Sequence, residues 1–173
     1  MNFMYGKYLP THHLDGIILS ARWNYEDISS LKQSISTLKQ YAGRVIVYGP
    51  IATYDQALPR ILARSLYLQN PGFVERHRVP WQVEIDRAFS KELSSQLEYI
   101  SVYKTLCGEG ACIAWADDAT PLQFDDGHLT AAGSALLACR VASQLFPEVT
   151  ARTIHSTCSS AQPSRDGDTR ASL

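Results

Sequence analysis

At 173 residues, 45% hydrophobic and 19% charged, the chain can bury one sizeable core and fits a single globular domain. Its formal net charge of −1, with no long block of one sign, leaves no footprint for a nucleic-acid backbone or an acidic membrane surface. No apolar run reaches the roughly eighteen residues of a membrane-spanning helix, and the start, MNFMYGKYLPTHHLDG, lacks the basic-then-apolar layout of a signal peptide.

The apolar run GIILS at 16–20 predicts a short buried strand. In the following ARWNYEDISSLKQSISTLKQYAG, Ile28, Leu31, Ile35 and Leu38 share one helical face. Asn24 fits the N-cap, Glu26 and Asp27 the first turn, and Gly43 the C-terminal cap. RVIVYGPI at 44–51 predicts a second buried strand, ended by Gly-Pro. A short helix fits 58–68, and NPG at 70–72 breaks the chain. A longer helix fits 81–97, where Ile85, Phe89, Leu93 and Leu97 stack four apart. YISVY at 99–103 predicts a third strand. After it come a loop bracketed by Cys107 and Cys112, the acidic loop ADDATPLQFDDGH, and a last helix over TAAGSALLACRVASQLF. From about Pro147 the chain turns rich in Ser, Thr, Arg and Asp. A folded part, 1–146, and a disordered tail, 147–173, are expected. There is no internal repeat.

Strands alternating with helices predict an α/β protein with a parallel sheet, whose ligands bind beyond the carboxyl ends of the strands. The acidic loop follows the third strand and can reach that edge. It carries Asp125 and His128, three residues apart, just before a helix that Thr130 can cap. A histidine is the commonest general base for an alcohol, and a neighbouring carboxylate fixes its tautomer. The same spacing also arises by chance at an ordinary capped helix start. A third reading, a metal site of Asp117, Asp118, Asp125 and His128, matches neither an EF-hand nor a zinc pattern. No cofactor is expected. His12 and His13 read as surface residues.

Four cysteines are present. Cys107 and Cys112 bracket GEGA and are either a small-loop disulfide or two free thiols; a zinc site would need two more ligands at matching spacing. Cys139 reads as a core residue of the last helix, and Cys158 falls in the tail.

DGIILSARW, VIVYGPI, LCGEGAC and FDDGHLTAAGSALLA, in that order over about residues 15–146, resemble the SGNH-type domain at the C-terminus of membrane acyltransferase-3 proteins. Those proteins O-acetylate bacterial surface polysaccharides such as lipopolysaccharide O-antigen. The resemblance implies a flavodoxin-like three-layer parallel sheet of the SGNH hydrolase type. It implies an acyl-ester hydrolase or O-acyltransferase function with an acyl ester donor and a carbohydrate acceptor, in the periplasm or another extracytoplasmic place. Asp125 and His128 then take the roles of triad acid and base, and Cys107 and Cys112 are expected to form a disulfide.

Some of the family pattern is missing. Its nucleophile is a Ser in a Gly-Asp-Ser block on the first strand, and no such block precedes residue 16. Ser20 ends a strand that matches a later one of the family. The sheet is therefore expected to be incomplete at its N-terminal strand, with the nucleophile block and the membrane helices encoded ahead of Met1. An apolar strand left with an open edge invites self-association. In place of the family's Gly-x-Asn-Asp block the chain reads SARWN. Asn24, or backbone N–H groups near Arg22, can serve an oxyanion, or Asn24 can be a helix cap while Arg22 and Trp23 close the strand end. Two rival readings stand beside the enzyme: an inactive remnant with the same fold, and a glycan-binding module using Trp23, Trp81, Trp115 and the tyrosines.

Overall fold

The structure, a computed structural model, describes residues 3–93, 98–108, 110–149 and 158. Three parallel strands, β1 Leu14–Leu19, β2 Ala42–Tyr48 and β3 Glu98–Ile100, pair in the order β1-β2-β3. Ile17 lies opposite Val45, Leu19 opposite Val47, and Val47 opposite Tyr99. The helices are α1 Asp27–Leu38, α2 Leu58–Tyr67, α3 Gly72–Arg76, α4 Gln82–Leu93, α5 Val102–Cys107 and α6 Ala131–Leu145. The architecture is the expected α/β class with a parallel sheet. Among the described residues no helix is long and apolar enough to cross a membrane.

The chain divides into two compact units, Met1–Pro50 with Pro80–Tyr103, and Ile51–Val79 with Lys104–Leu173. The first holds the sheet. Leu31, Ile35 and Leu38 of α1 and Ile85, Phe89 and Leu93 of α4 bury against Val45 and Val47, on the helical spacing read from the sequence. Trp23 closes this core: its Nε1–H donates to the Tyr48 carbonyl at 2.7 Å and its ring lies 5.5 Å from Phe89. Tyr99 Oη donates to Asp86 Oδ1 at 2.7 Å and Ser101 Oγ to Oδ2 at 2.8 Å, so a buried carboxylate is satisfied on both oxygens. Burial and the Asp86 carboxylate push the Tyr99 phenol far above the ordinary tyrosine range. Gly49 is required here, because a Cβ on it would stand 2.1 Å from Tyr99 Oη.

Several sequence expectations are corrected. β1 is not buried: it pairs with β2 alone among the described residues, and Ile18 is 50% exposed. An outer strand has one neighbour, so its apolar run is only half covered. Asn24 does not cap α1 with its side chain. Its backbone N–H donates to Asp27 Oδ2 at 2.7 Å, and Glu26 holds the cap position. Gly43 lies inside β2, and α1 ends at Leu38 with Lys39 N–H on the Ile35 carbonyl. The third strand stops at Ile100. Val102, Tyr103, Leu106 and Cys107 are buried at helical spacing, which makes α5 out of what alternation assigns to a strand. Leu97 and nearly all of the tail lie outside the described residues.

The second unit holds α2, α3, α6 and the acidic loop. Leu58, Ile61 and Leu62 of α2 and Leu136, Leu137 and Val141 of α6 are buried. Cys107 and Cys112 form the disulfide that the resemblance implied. Cys139 is also bonded, to Cys158, rather than being a lone core residue.

Candidate active site

The acidic loop is built as a closed structure before any chemistry is considered. Thr130 caps α6 as expected, its Oγ1 accepting the Gly133 N–H at 3.0 Å. The same hydroxyl donates to the Pro121 carbonyl at 2.9 Å. α6 sits so close to the loop that a Cβ on Gly133 would come within 2.2 Å of the Leu122 carbonyl oxygen. Gln123 pairs with Leu129 in an antiparallel bridge, and the Phe124 N–H donates to the His128 carbonyl at 3.0 Å. Gln123 itself is buried, its Nε2 donating to the Ala52 carbonyl at 2.7 Å. Residues 123–129 thus form a tight hairpin with Asp125 to His128 at its tip.

At that tip Asp125 Oδ1 accepts the backbone N–H groups of Gly127 at 2.9 Å and His128 at 2.7 Å. Its Oδ2 lies 2.7 Å from His128 Nδ1. The Gly127 N–H, followed by the His128 N–H and imidazole, holds the Asp125 carboxyl down to about 2. An ionised carboxylate accepts, so Nδ1 carries the proton in this pair and the lone pair falls on Nε2. The imidazole is 70% exposed and stacks on Phe124 at 5.7 Å. This is a histidine fixed in tautomer and orientation with its basic edge turned outward, as a general base requires. Among the described residues no serine hydroxyl hydrogen-bonds the imidazole.

The hairpin is pinned to the segment before α2, where the Tyr54 N–H donates to the Asp126 carbonyl at 2.9 Å and the Leu58 N–H to the Asp125 carbonyl at 3.0 Å. Between those contacts sits a second Asp-His pair that the sequence did not reveal. Asp55 Oδ1 lies 2.8 Å from His77 Nδ1, and the Asp55 N–H donates to the His77 carbonyl. The two residues are 22 apart, so no local spacing signals them. Asp117 turns its Oδ1 to the N–H groups of Ala119 and Thr120, which lower its carboxyl, and so closes a turn. Among the described residues no three His, Cys, Asp or Glu side chains are grouped to hold a metal ion. Arg22 and Asn24, both exposed, belong to the first unit.

A family model described as the SGNH domain fused to AT3 domains matches residues 4–143. This chain belongs to the SGNH domain family. The match takes in the hairpin and most of α6. The SGNH domain is also similar to a solved structure, the periplasmic domain of a lipopolysaccharide acetyltransferase from Salmonella ser. Paratyphi A, with a TM-score of 0.65 and 24% identity. That similarity shows a shared fold. It covers 78% of this chain but only 57% of the Salmonella chain. No curated protein sequence matches.

Proposed function

We propose that this SGNH domain acts in acyl transfer or acyl-ester hydrolysis on a cell-surface polysaccharide, with His128 as general base and Asp125 as its orienting acid. The observation that carries the reading is the 2.7 Å contact of Asp125 Oδ2 with His128 Nδ1 on an outward-facing imidazole. In this mechanism a serine hydroxyl attacks the acyl carbonyl while His128 Nε2 takes its proton. The new O–C bond forms, the ester's C–O bond breaks, and His128 returns the proton to the leaving alkoxide. An acceptor sugar hydroxyl, or water, then repeats the sequence on the acyl-serine. Asp125 stabilises the imidazolium formed in each half.

The partners proposed are an acyl ester donor and a carbohydrate acceptor. They are supported by the family's fusion to AT3 domains and by the lipopolysaccharide acetyltransferase fold. An extracytoplasmic location is supported by two disulfides and by the periplasmic origin of the Salmonella domain. Self-association through the outer edge of β1 is proposed from its having one neighbour among the described residues.

The test is hydrolysis of 4-nitrophenyl acetate by the purified chain. In a version that carries the family's Gly-Asp-Ser block, His128→Ala is expected to reduce turnover to the solvent rate, and Asp125→Asn to lower kcat by about 10³-fold or more. Turnover unchanged by His128→Ala overturns the assignment. That no serine hydroxyl hydrogen-bonds the imidazole among the described residues favours a second reading, a non-catalytic domain that keeps the fold. Its signature is parent turnover already at the solvent rate.

A further inference from the structure

α2 ends in a way that glycine would normally serve. The Gln69 N–H donates to the Leu66 carbonyl at 3.1 Å and the Asn70 N–H to the Ser65 carbonyl at 3.0 Å, the two bonds of a Schellman closure. The residue between helix and turn must then be left-handed, and Gln69 is, with φ of +49°. Glycine takes that conformation without steric penalty; a glutamine does not. A side chain is kept where a hydrogen atom would fold more easily. Strain of this kind collects at ligand sites.

Gln69 lines a cavity of about 440 Å³, within the size range of small-molecule sites. Leu62, Leu66, Val74 and Trp115 are among the residues of its wall, and Asn70 stands beside Gln69. Two other polar residues of the wall are committed elsewhere. Ser65 Oγ donates to the Asn70 carbonyl, and the Glu75 carboxylate accepts from the Cys112 N–H and Arg78 Nε. The two amide side chains, which no hydrogen bond engages among the described residues, remain to face a ligand. Amides both donate and accept, as sugar hydroxyls do, and an indole offers a flat apolar face for a pyranose ring. The wall carries no Lys or Arg to attract an anion. An acyl chain would have no use for the amides. Leu66 of the wall is 67% exposed. α2 begins on the Asp125 carbonyl at Leu58, and its next turn supplies Leu62 to the cavity wall.

We infer that this cavity is a subsite for a neutral hexose of the polysaccharide acceptor, with Gln69 as a specificity-determining residue. The identity of the ligand as an acceptor rests on the function proposed above. The test uses saturation-transfer NMR and calorimetry on the full chain. The probes are the methyl glycosides of mannose, glucose, galactose and rhamnose, with octanoate and methyl glucuronide as rivals. At least one neutral glycoside is expected to bind. Gln69→Gly is expected to weaken that binding by about fivefold or more while its thermal midpoint is at least that of the parent. Binding is expected to persist in His128→Ala. Absence of neutral glycoside binding, binding of octanoate instead, or equal affinity in Gln69→Gly overturns the subsite. Because binding is read apart from ester turnover, lost binding with His128-dependent turnover intact sinks the subsite alone. Binding with no turnover leaves it standing.

Discussion

Asp125 shows how far a single side chain can be read from its neighbours. Its carboxyl falls from 3.8 to about 2 because two backbone N–H groups and the imidazole stabilise the charged form. A depressed acid contributes stability that is complete above the unfolded value and is lost as pH falls through the folded one. The stability difference between parent and Asp125→Asn is therefore expected to close as pH falls between about 4 and 2. Denaturant melts at stepped pH measure this; a difference that stays flat to pH 2 would contradict the ionised pair. It also follows that no acid limb of activity above pH 4 belongs to Asp125. This pair was legible because its members are three residues apart and the hairpin needs no distant contact to bring them together. Asp55 and His77 were not legible, since they meet only after α2 and α3 are in place. Gln69 was hidden for another reason. Its side-chain chemistry is ordinary, and only its φ sets it apart.

At the scale of elements, periodicity worked where a helix has one buried face. Leu31, Ile35 and Leu38 in α1 and Ile85, Phe89 and Leu93 in α4 fall inward as their spacing requires. It failed where β-formers were recruited by a short helix, as Val102 and Tyr103 were in α5. Burial of β1 depends on how many neighbours it has, and the Cys139–Cys158 bond depends on a partner 19 residues away. The last helix joins both kinds of evidence, for Thr130 marks its start in sequence while the need for Gly133 becomes visible only in space. In an exposed helix interior Ala would gain about 1 kcal/mol over Gly. Here the added methyl would meet the Leu122 carbonyl at 2.2 Å, on a loop already held by Thr130. Overpacking of that kind costs about 1–3 kcal/mol, so the clash outweighs propensity. Gly133→Ala is expected to lower stability in urea melts and to disturb the His128 imidazole resonances. A variant as stable as the parent, with unmoved His128 resonances, would mean that α6 does not fix the hairpin.

For the whole molecule the consequential feature is the free side of β1. Among the described residues β1 pairs with β2 alone, and β2 has β3 on its other flank, so β1 keeps one unpaired side. Backbone N–H and C=O groups along an outer strand are a template for another chain, and proteins blunt such edges with lysine, proline or a covering segment. β1 reads LDGIIL, with one charge near its start and Ile18 half exposed further along. Charge repulsion opposes association weakly, since the net charge is −1. Edge pairing between two copies is then the expected outcome at high concentration. Sedimentation of the full chain should give a mass that rises with concentration, and a thermal midpoint that rises with it. Ile18→Lys places a charge in the exposed part of the strand and should return both to concentration-independent, monomeric values. A parent that sediments as a monomer throughout, with a sharp concentration-independent transition, would leave the β1 edge without a self-partner. The hexose subsite and the Asp125–His128 pair would be untouched by that result, because both lie in the other compact unit.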